Sequence, residues 1–427
     1  MPRRSLLLIC ALTAAIVFAT VSSAFGAKGM EIAVQDDPSL FAGIYSTPQI
    51  GLGLAERLHA TRVRVNVGWA YVVGKAANKK KAPKHIRYNW SGYDLLIANA
   101  AQYGIKVQLA LTGMAPAYAT SNHKIGPMAP SAAKYKTFVT AAAKHFKGRI
   151  DRYSIWNEPN HRGWIAPINK GPQIYRALYI AGYSAIKHVD HKAQVMIGET
   201  SPFDLGHGRN ATSPLKFLRA VTCANARYKR ARKCSTLRTD GYAQHPYDFD
   251  HKPTYKYPGK DNVTIGVLGR LTSALAKLKR ARLLTTPSGG VPFVYLTEYG
   301  YFRSGRRRMP DPKRGKYLVQ AFTIAQRNPR VKEMLHFLLV QPSRKFSFFD
   351  TSLATRAGKP FPAFKPLAAW STQVAAAGVI ATTSRPGGGT TTPPGGGGSN
   401  QPPPPPPPTT QPPPQCTLGP TGLPICP

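Results

Sequence analysis

Two hydrophobic patterns alternate along this chain. Short runs rich in β-branched and apolar residues recur at 31–35, 62–67, 105–111, 150–156, 194–198, 241–247, 293–297 and 334–340, as strands do. Longer stretches with apolar residues at helical spacing separate most of them, at 52–59, 91–103, 132–146, 173–188, 263–281, 316–326 and 366–377. Eight strands alternating with helices over roughly 350 residues predict a single (β/α)8 barrel, an α/β TIM barrel with enlarged loops. An open doubly wound sheet is the alternative, weakened by the lack of a glycine-rich phosphate loop after the first strand.

The two ends of the chain read differently. Met1-Pro2-Arg3-Arg4 precedes an apolar run from Leu6 to Val21, and Ala24-Phe25-Gly26 offers small residues for cleavage, so 1–26 reads as a signal peptide. The barrel then occupies 27–381, in a secreted, extracellular protein with no membrane anchor after cleavage. From 382 to 415 the chain turns to Gly, Thr and Pro, including Pro402–Pro408, a disordered Pro/Gly-rich linker. A short disulfide-closed segment, 416–427, ends it. Past the leader stand Cys223, Cys234, Cys416 and Cys426, an even count that suggests two bridges between sequence neighbours. None stands at metal-ligand spacing with histidine, and no metal is expected.

Charge adds a question. Lys and Arg number 58 against 18 acidic residues, a formal net charge of +40, which raises the matter of an anionic partner. An exported protein with disulfides rarely meets nucleic acid, so an anionic polysaccharide is the better candidate, with plain solubility the simpler reading. Basic clusters fall at Lys75, Lys79, Lys80, Lys81 and Lys84, at Arg227, Lys229, Arg230, Arg232 and Lys233, and at Arg303, Arg306, Arg307 and Arg308. All three are expected to rim the barrel mouth.

Chemistry is carried by two strand tips. Ile155-Trp156-Asn157-Glu158-Pro159-Asn160 and Tyr295-Leu296-Thr297-Glu298-Tyr299-Gly300 are each an apolar run that ends in a carboxylate. Strand tips of a parallel barrel converge on one face, and two carboxylates there can break a glycosidic bond. The acid should have its pKa raised and its partner should stay ionised. Glu199, at the fifth strand's end, is an extra carboxylate.

Asn157-Glu158-Pro159 resembles the Asn-Glu-Pro signature of glycoside hydrolase clan A, with families 5 (cellulase-like) and 39 (xylosidase-like) the nearest in pattern. The resemblance spans about residues 31–375. It implies a retaining glycosidase with Glu158 as acid/base and Glu298 as nucleophile. It places Arg64 beside the nucleophile, although alternation sends Arg62 to the same face. It assigns Asn157 to the sugar 2-hydroxyl, and it likens His245-Pro246-Tyr247 to a His-x-Tyr motif whose tyrosine bonds the nucleophile. Two features depart from the pattern. No histidine follows strand three in 109–113, and the strand-eight tryptophan is missing, with His336, Phe337 or Gln341 nearby instead. Trp69 and Trp164 follow strands two and four and are expected to stack on sugar, while Trp156 packs around the barrel. The expected substrate is a polysaccharide or oligosaccharide, the protein a monomer, with no cofactor. A non-catalytic polysaccharide-binding protein and a transglycosidase are the alternatives.

Overall fold

The computed structural model describes residues 29–40, 44–343 and 349–385, with two further short strands, Thr417–Leu418 and Pro424–Ile425. The expected leader, the linker beyond residue 385 and the Cys416–Cys426 bridge lie outside the described residues.

Eight parallel strands close into a barrel in chain order. They are β1 Glu31–Gln35, β2 Arg62–Gly68, β3 Lys106–Thr112, β4 Arg152–Ile155, β5 Gln194–Thr200, β6 Gly241–Gln244, β7 Phe293–Leu296 and β8 Val331–Phe337. A main helix follows each: α1 Pro48–Arg57, α2 Ser91–Gln102, α3 Ala132–Phe146, α4 Gly171–Val189, α5 Pro214–Val221, α6 Leu268–Arg280, α7 Asp311–Gln326 and α8 Phe364–Ala376. The (β/α)8 barrel is as expected. Two details differ. The short α5 sits in a basic, cysteine-bearing stretch where no helix is expected, and β8 begins earlier than predicted. Lys332-Glu333 looks like a charged loop in sequence, yet Glu333 is wholly buried inside the barrel.

β2 shows how the barrel is filled. Alternation often marks a strand with one wet face, but every residue of β2 is buried. Val63, Val65 and Val67 join the core between sheet and helices, while Arg62 and Arg64 point into the barrel, where each meets two carboxylates. Apolar packing inside the barrel includes a small group, Met196, Ala243 and Tyr295. Around it the interior is charged. At the floor Arg62 bonds Asp151 at 2.6 Å and Glu31 at 3.1 Å, and Arg152 reaches Glu31 at 2.5 Å and Glu333 at 2.6 Å. Burial pushes Glu333 up to about 7, and the Arg152 charge offsets only part of that.

Between β4 and β5 the ladder stops at Ser154 and Met196. There the Tyr175 hydroxyl of α4 enters, donating to the Ile155 carbonyl at 3.2 Å and accepting the Gly198 N–H at 2.8 Å. It satisfies two backbone groups that the diverging strands leave without each other.

Cys223 and Cys234 are bonded, closing a loop in the connection from α5 to β6. This connection runs from helix to strand, so the basic cluster at 227–233 lies at the floor end and not at the mouth. The clusters at 75–84 and 303–308 follow β2 and β7 and do lie on the mouth side. Among the described residues no helix is long and apolar enough to cross a membrane.

Candidate active site

Past β4 the chain leaves regular geometry. Trp156 and Glu158 take left-handed conformations, φ 70 and φ 36, which cost about 1 kcal/mol or more each and persist only when surroundings fix them. The surroundings here do so. The Glu158 N–H donates to the Glu199 carbonyl at 2.9 Å, and the His161 N–H to the Glu158 carbonyl at 2.8 Å. The Trp156 indole N–H donates to the Trp164 carbonyl at 3.0 Å. Asn160 bonds the backbone of Ser201 and Thr212.

The neighbouring tip is built by a bulge. Pairing between β5 and β6 shifts between Gly198 and Thr200, so Glu199 is the extra residue. Gly198 has φ 114, and a Cβ there would fall 2.3 Å from the Ala243 carbonyl oxygen. Only glycine fits.

Glu298 follows β7, and three side chains, Arg64, Tyr247 and His245, tie it to the other tips. Arg64 Nη1 donates to Glu298 Oε1 at 3.0 Å, and Nη2 to Asn157 Oδ1 at 2.8 Å and Glu199 Oε2 at 3.2 Å. The Tyr247 hydroxyl donates to Glu298 Oε2 at 3.2 Å. His245 Nε2 lies 2.8 Å from Glu199 Oε2, and its Nδ1 lies 3.2 Å from Glu158 Oε1 and 3.5 Å from Glu298 Oε2. Sharing one nitrogen puts those two glutamate oxygens at most about 7 Å apart, against carboxyl spacings of about 5–5.5 Å in retaining glycosidases and 6.5–9.5 Å in inverting ones.

Protonation in this ring departs from the expected order. Burial lowers the His245 pKa, but the Glu298 charge and the bonds to Glu158 and Glu199 outweigh it and raise the group to about 9. Burial acts to raise Glu199, yet Arg64 and His245 hold it near about 2. For Glu158 burial again raises, and the bond and charge of His245 carry the group below its ordinary value. Glu298 goes the other way. Burial raises it, the charges of Glu158 and Glu199 add to that, and His245 and Arg64 offset only part. The directions in the resting site are thus opposite to expectation: His245 carries Glu158 down, while burial and two neighbouring carboxylates carry Glu298 up.

Both glutamates line a cavity of about 370 Å³, with Asn157, Tyr247 and Trp164. The structure thus brings together Glu158, Glu298, Asn157, Arg64, His245 and Tyr247, with Trp164 on the wall. Trp69 is a correction. It is fully buried, stacked on Phe138 at 5.5 Å and edge-on to Tyr118 and Tyr135, because the short helix Trp69–Val73 turns it into the layer between sheet and helices. It does not line the cavity. Arg62 belongs to the floor, and Trp156 packs edge-on against Tyr135. Near the missing strand-eight tryptophan, Phe337 lines the cavity, while His336 is buried beneath it and pushed down to about 3.

Sequence reading missed Gln35, Asp37 and Asn66, which line the cavity from β1 and β2. A signal existed: two consecutive acids, Asp36-Asp37, end a strand in a chain that has only 18 acidic residues. Among the described residues no group of three or more His, Cys, Asp or Glu side chains is arranged to hold a metal ion.

No family model matches the chain, and no curated protein does. Solved structures do. A family 39 glycoside hydrolase from Bacteroides cellulosilyticus superposes with a TM-score of 0.58 at 17% identity, over 81% of this chain and 64% of that one. A glucosidase from Croceicoccus marinus gives 0.56 at 14%, over 82% and 69%. A monomeric β-xylosidase from Caulobacter crescentus gives 0.51 at 16%, over 80% and 68%. The chain spans less than two thirds of the first of these. At such identity the shared property is the fold, the eight-stranded parallel barrel of the clan that the motifs resemble.

Proposed function

We propose that this protein is a secreted glycosidase that cleaves O-glycosidic bonds of an oligosaccharide or polysaccharide with retention of configuration. One observation carries the reading: Glu158 and Glu298 share the His245 Nδ1, at 3.2 and 3.5 Å. That closeness favours direct attack by a carboxylate over a water held between two of them.

In this mechanism Glu298 attacks the anomeric carbon while Glu158 gives a proton to the departing oxygen. A covalent glycosyl-enzyme forms. Glu158 then takes a proton from water, and the resulting nucleophile releases the sugar and frees Glu298. Arg64 and Tyr247 each hold one oxygen of Glu298, which fixes the plane of attack. Asn157, bonded to Arg64, is placed for a sugar hydroxyl. A sugar that fills the cavity expels water and raises a buried carboxylate, and His245 is the nearest proton donor for Glu158.

The test is product release from a panel of polysaccharides and aryl glycosides, read by mass spectrometry, with Glu298→Ala and Glu158→Ala run beside the parent. The parent alone should release products, and its first product should keep the anomeric configuration by NMR. Azide should rescue Glu158→Ala as a glycosyl azide. Cleavage that survives both substitutions would refute this site. Sugar binding by the parent without cleavage would leave a binding protein.

A further inference from the structure

The cavity has two unlike sides. Phe203, Phe249, Phe337 and Phe349 make one of them apolar. The other, at the tips of β1 and β2, is polar and already organised. Asp37 is 3% exposed, its Oδ1 accepts the Asn66 backbone N–H at 2.7 Å, and its Oδ2 accepts the Gln35 amide at 2.7 Å. Gln35 also accepts from Arg64, the residue that holds Glu298.

Asn66 supplies the pointer to a ligand. It is 6% exposed and lines the cavity, yet its side-chain oxygen has no hydrogen-bond partner among the described residues. A buried amide oxygen without a donor is costly to leave so, and the cavity is where a donor can arrive. A sugar hydroxyl is such a donor, and the same ring of hydroxyls would reach Asp37.

Charge narrows the class. Asp37, Glu158 and Glu298 all line the cavity, and among the described residues no lysine or arginine does, although the chain carries +40. Arg64 lies beneath, wholly buried and committed to Gln35, Asn157, Glu199 and Glu298. A sugar carboxylate would meet acceptors and like charges, with no lysine or arginine among the described lining residues to pair with.

We propose that Asp37, Gln35 and Asn66 form the subsite for the sugar whose bond is cleaved, and that this subsite takes a neutral, hydroxyl-rich sugar and rejects its uronate. The identity of that sugar as the one cleaved rests on the glycosidase reading. Any attraction to an anionic polymer belongs to the basic surface outside the cavity.

Binding, measured separately from cleavage, tests this. Full-length protein carrying Glu158→Gln is titrated calorimetrically with 4-nitrophenyl β-glucoside, β-galactoside and β-xyloside, and with the matching β-glucuronide and β-galacturonide. At least one neutral glycoside should bind at least about tenfold more tightly than its uronide. Asp37→Asn and Asn66→Ala should each weaken that binding about tenfold. Asn66→Ala removes a side chain whose oxygen bonds nothing among the described residues, so an unchanged melting temperature is expected and separates binding from folding. A uronide that binds as tightly as its neutral partner overturns the proposal, as does neutral affinity untouched by both variants or no binding by any glycoside. The unmodified protein separates the two readings. Preferential cleavage of a uronide sinks this inference and supports the glycosidase, whereas neutral binding without any cleavage supports the subsite and sinks the glycosidase.

Discussion

At the floor of the barrel Arg62 and Arg152 face Glu31, Asp151 and Glu333, and Lys106 adds a third cation at 2.9 Å from Asp151. At the mouth Arg64 and His245 face Glu158, Glu199 and Glu298. Each layer has three carboxylates. The floor can match them with permanent cations, and each of its arginines bonds two acids. The mouth has one permanent cation and an imidazole that is positive only when it holds a proton. Its charge balance therefore depends on where a proton sits, and that makes the mouth suited to moving one. The floor's Glu333 is also pushed up to about 7, but of the two layers' carboxylates only the mouth's Glu158 and Glu298 line the cavity, where a proton can be passed to a ligand.

The largest expected effect separates the layers. Glu298→Ala should lower kcat/KM by at least about 10⁴-fold, since residues acting as a catalytic unit fail together, with little change in the denaturation midpoint. Arg152→Met at the floor should do the reverse. Breaking a buried pair strands a charge and costs about 3–5 kcal/mol, to be read in a denaturant titration, while kcat of the folded fraction stays unchanged. Loss of activity without unfolding in Arg152→Met would erase the division of labour.

Titration sharpens it next. His245 is raised from 6.5 to about 9 in the fold. Its stabilisation is thus complete below about pH 6.5 and lost as pH climbs through about 9. Glu333, raised from 4.5 to about 7, acts in the same sense in a lower window. Folding favours its protonated form, so stability drains between about pH 4.5 and 7. Melting curves should show both declines, with His245→Gln removing the upper one and Glu333→Gln the lower. Glu199, held at about 2, has the opposite sign and contributes above about pH 4.5, failing as pH falls toward 2.

The smallest effect concerns salt. With the basic clusters outside the cavity, raising ionic strength from about 0.05 to 0.5 M should change kcat/KM on small neutral glycosides less than about twofold. A steep fall would bring that surface into substrate capture.

Much of this was legible in the chain. Strands showed as β-branched runs, and Glu158, Glu298, Arg64, His245 and Tyr247 were legible because parallel strands deliver their tips to one face. Position along a strand does not say which layer a residue after it joins. Trp69 follows β2 directly, yet one short helical turn rotates it away from the cavity. Gln35, Asp37 and Asn66 were missed because ordinary amides and acids acquire meaning only when β1 and β2 meet. The basic cluster at 227–233 was misplaced because α5 is too short to register, so a connection leaving a helix looked like one leaving a strand. The directions of the two glutamate shifts depend on burial and on how His245, Arg64 and the neighbouring carboxylates surround each group, an arrangement no residue pattern encodes.

Tyr175 has a consequence for engineering. Its hydroxyl wedges between Ile155 and Gly198, so a single oxygen on a helix that does not line the cavity sets how far two neighbouring strands splay. Those strands end in Glu158 and Glu199. Phenylalanine at this position would remove the wedge and let the strands draw together by a fraction of a rung, narrowing the bore of the mouth from behind. The helix ring can in this way act as an adjusting collar, through which the gap between the two acids is tuned without touching any residue that meets the sugar.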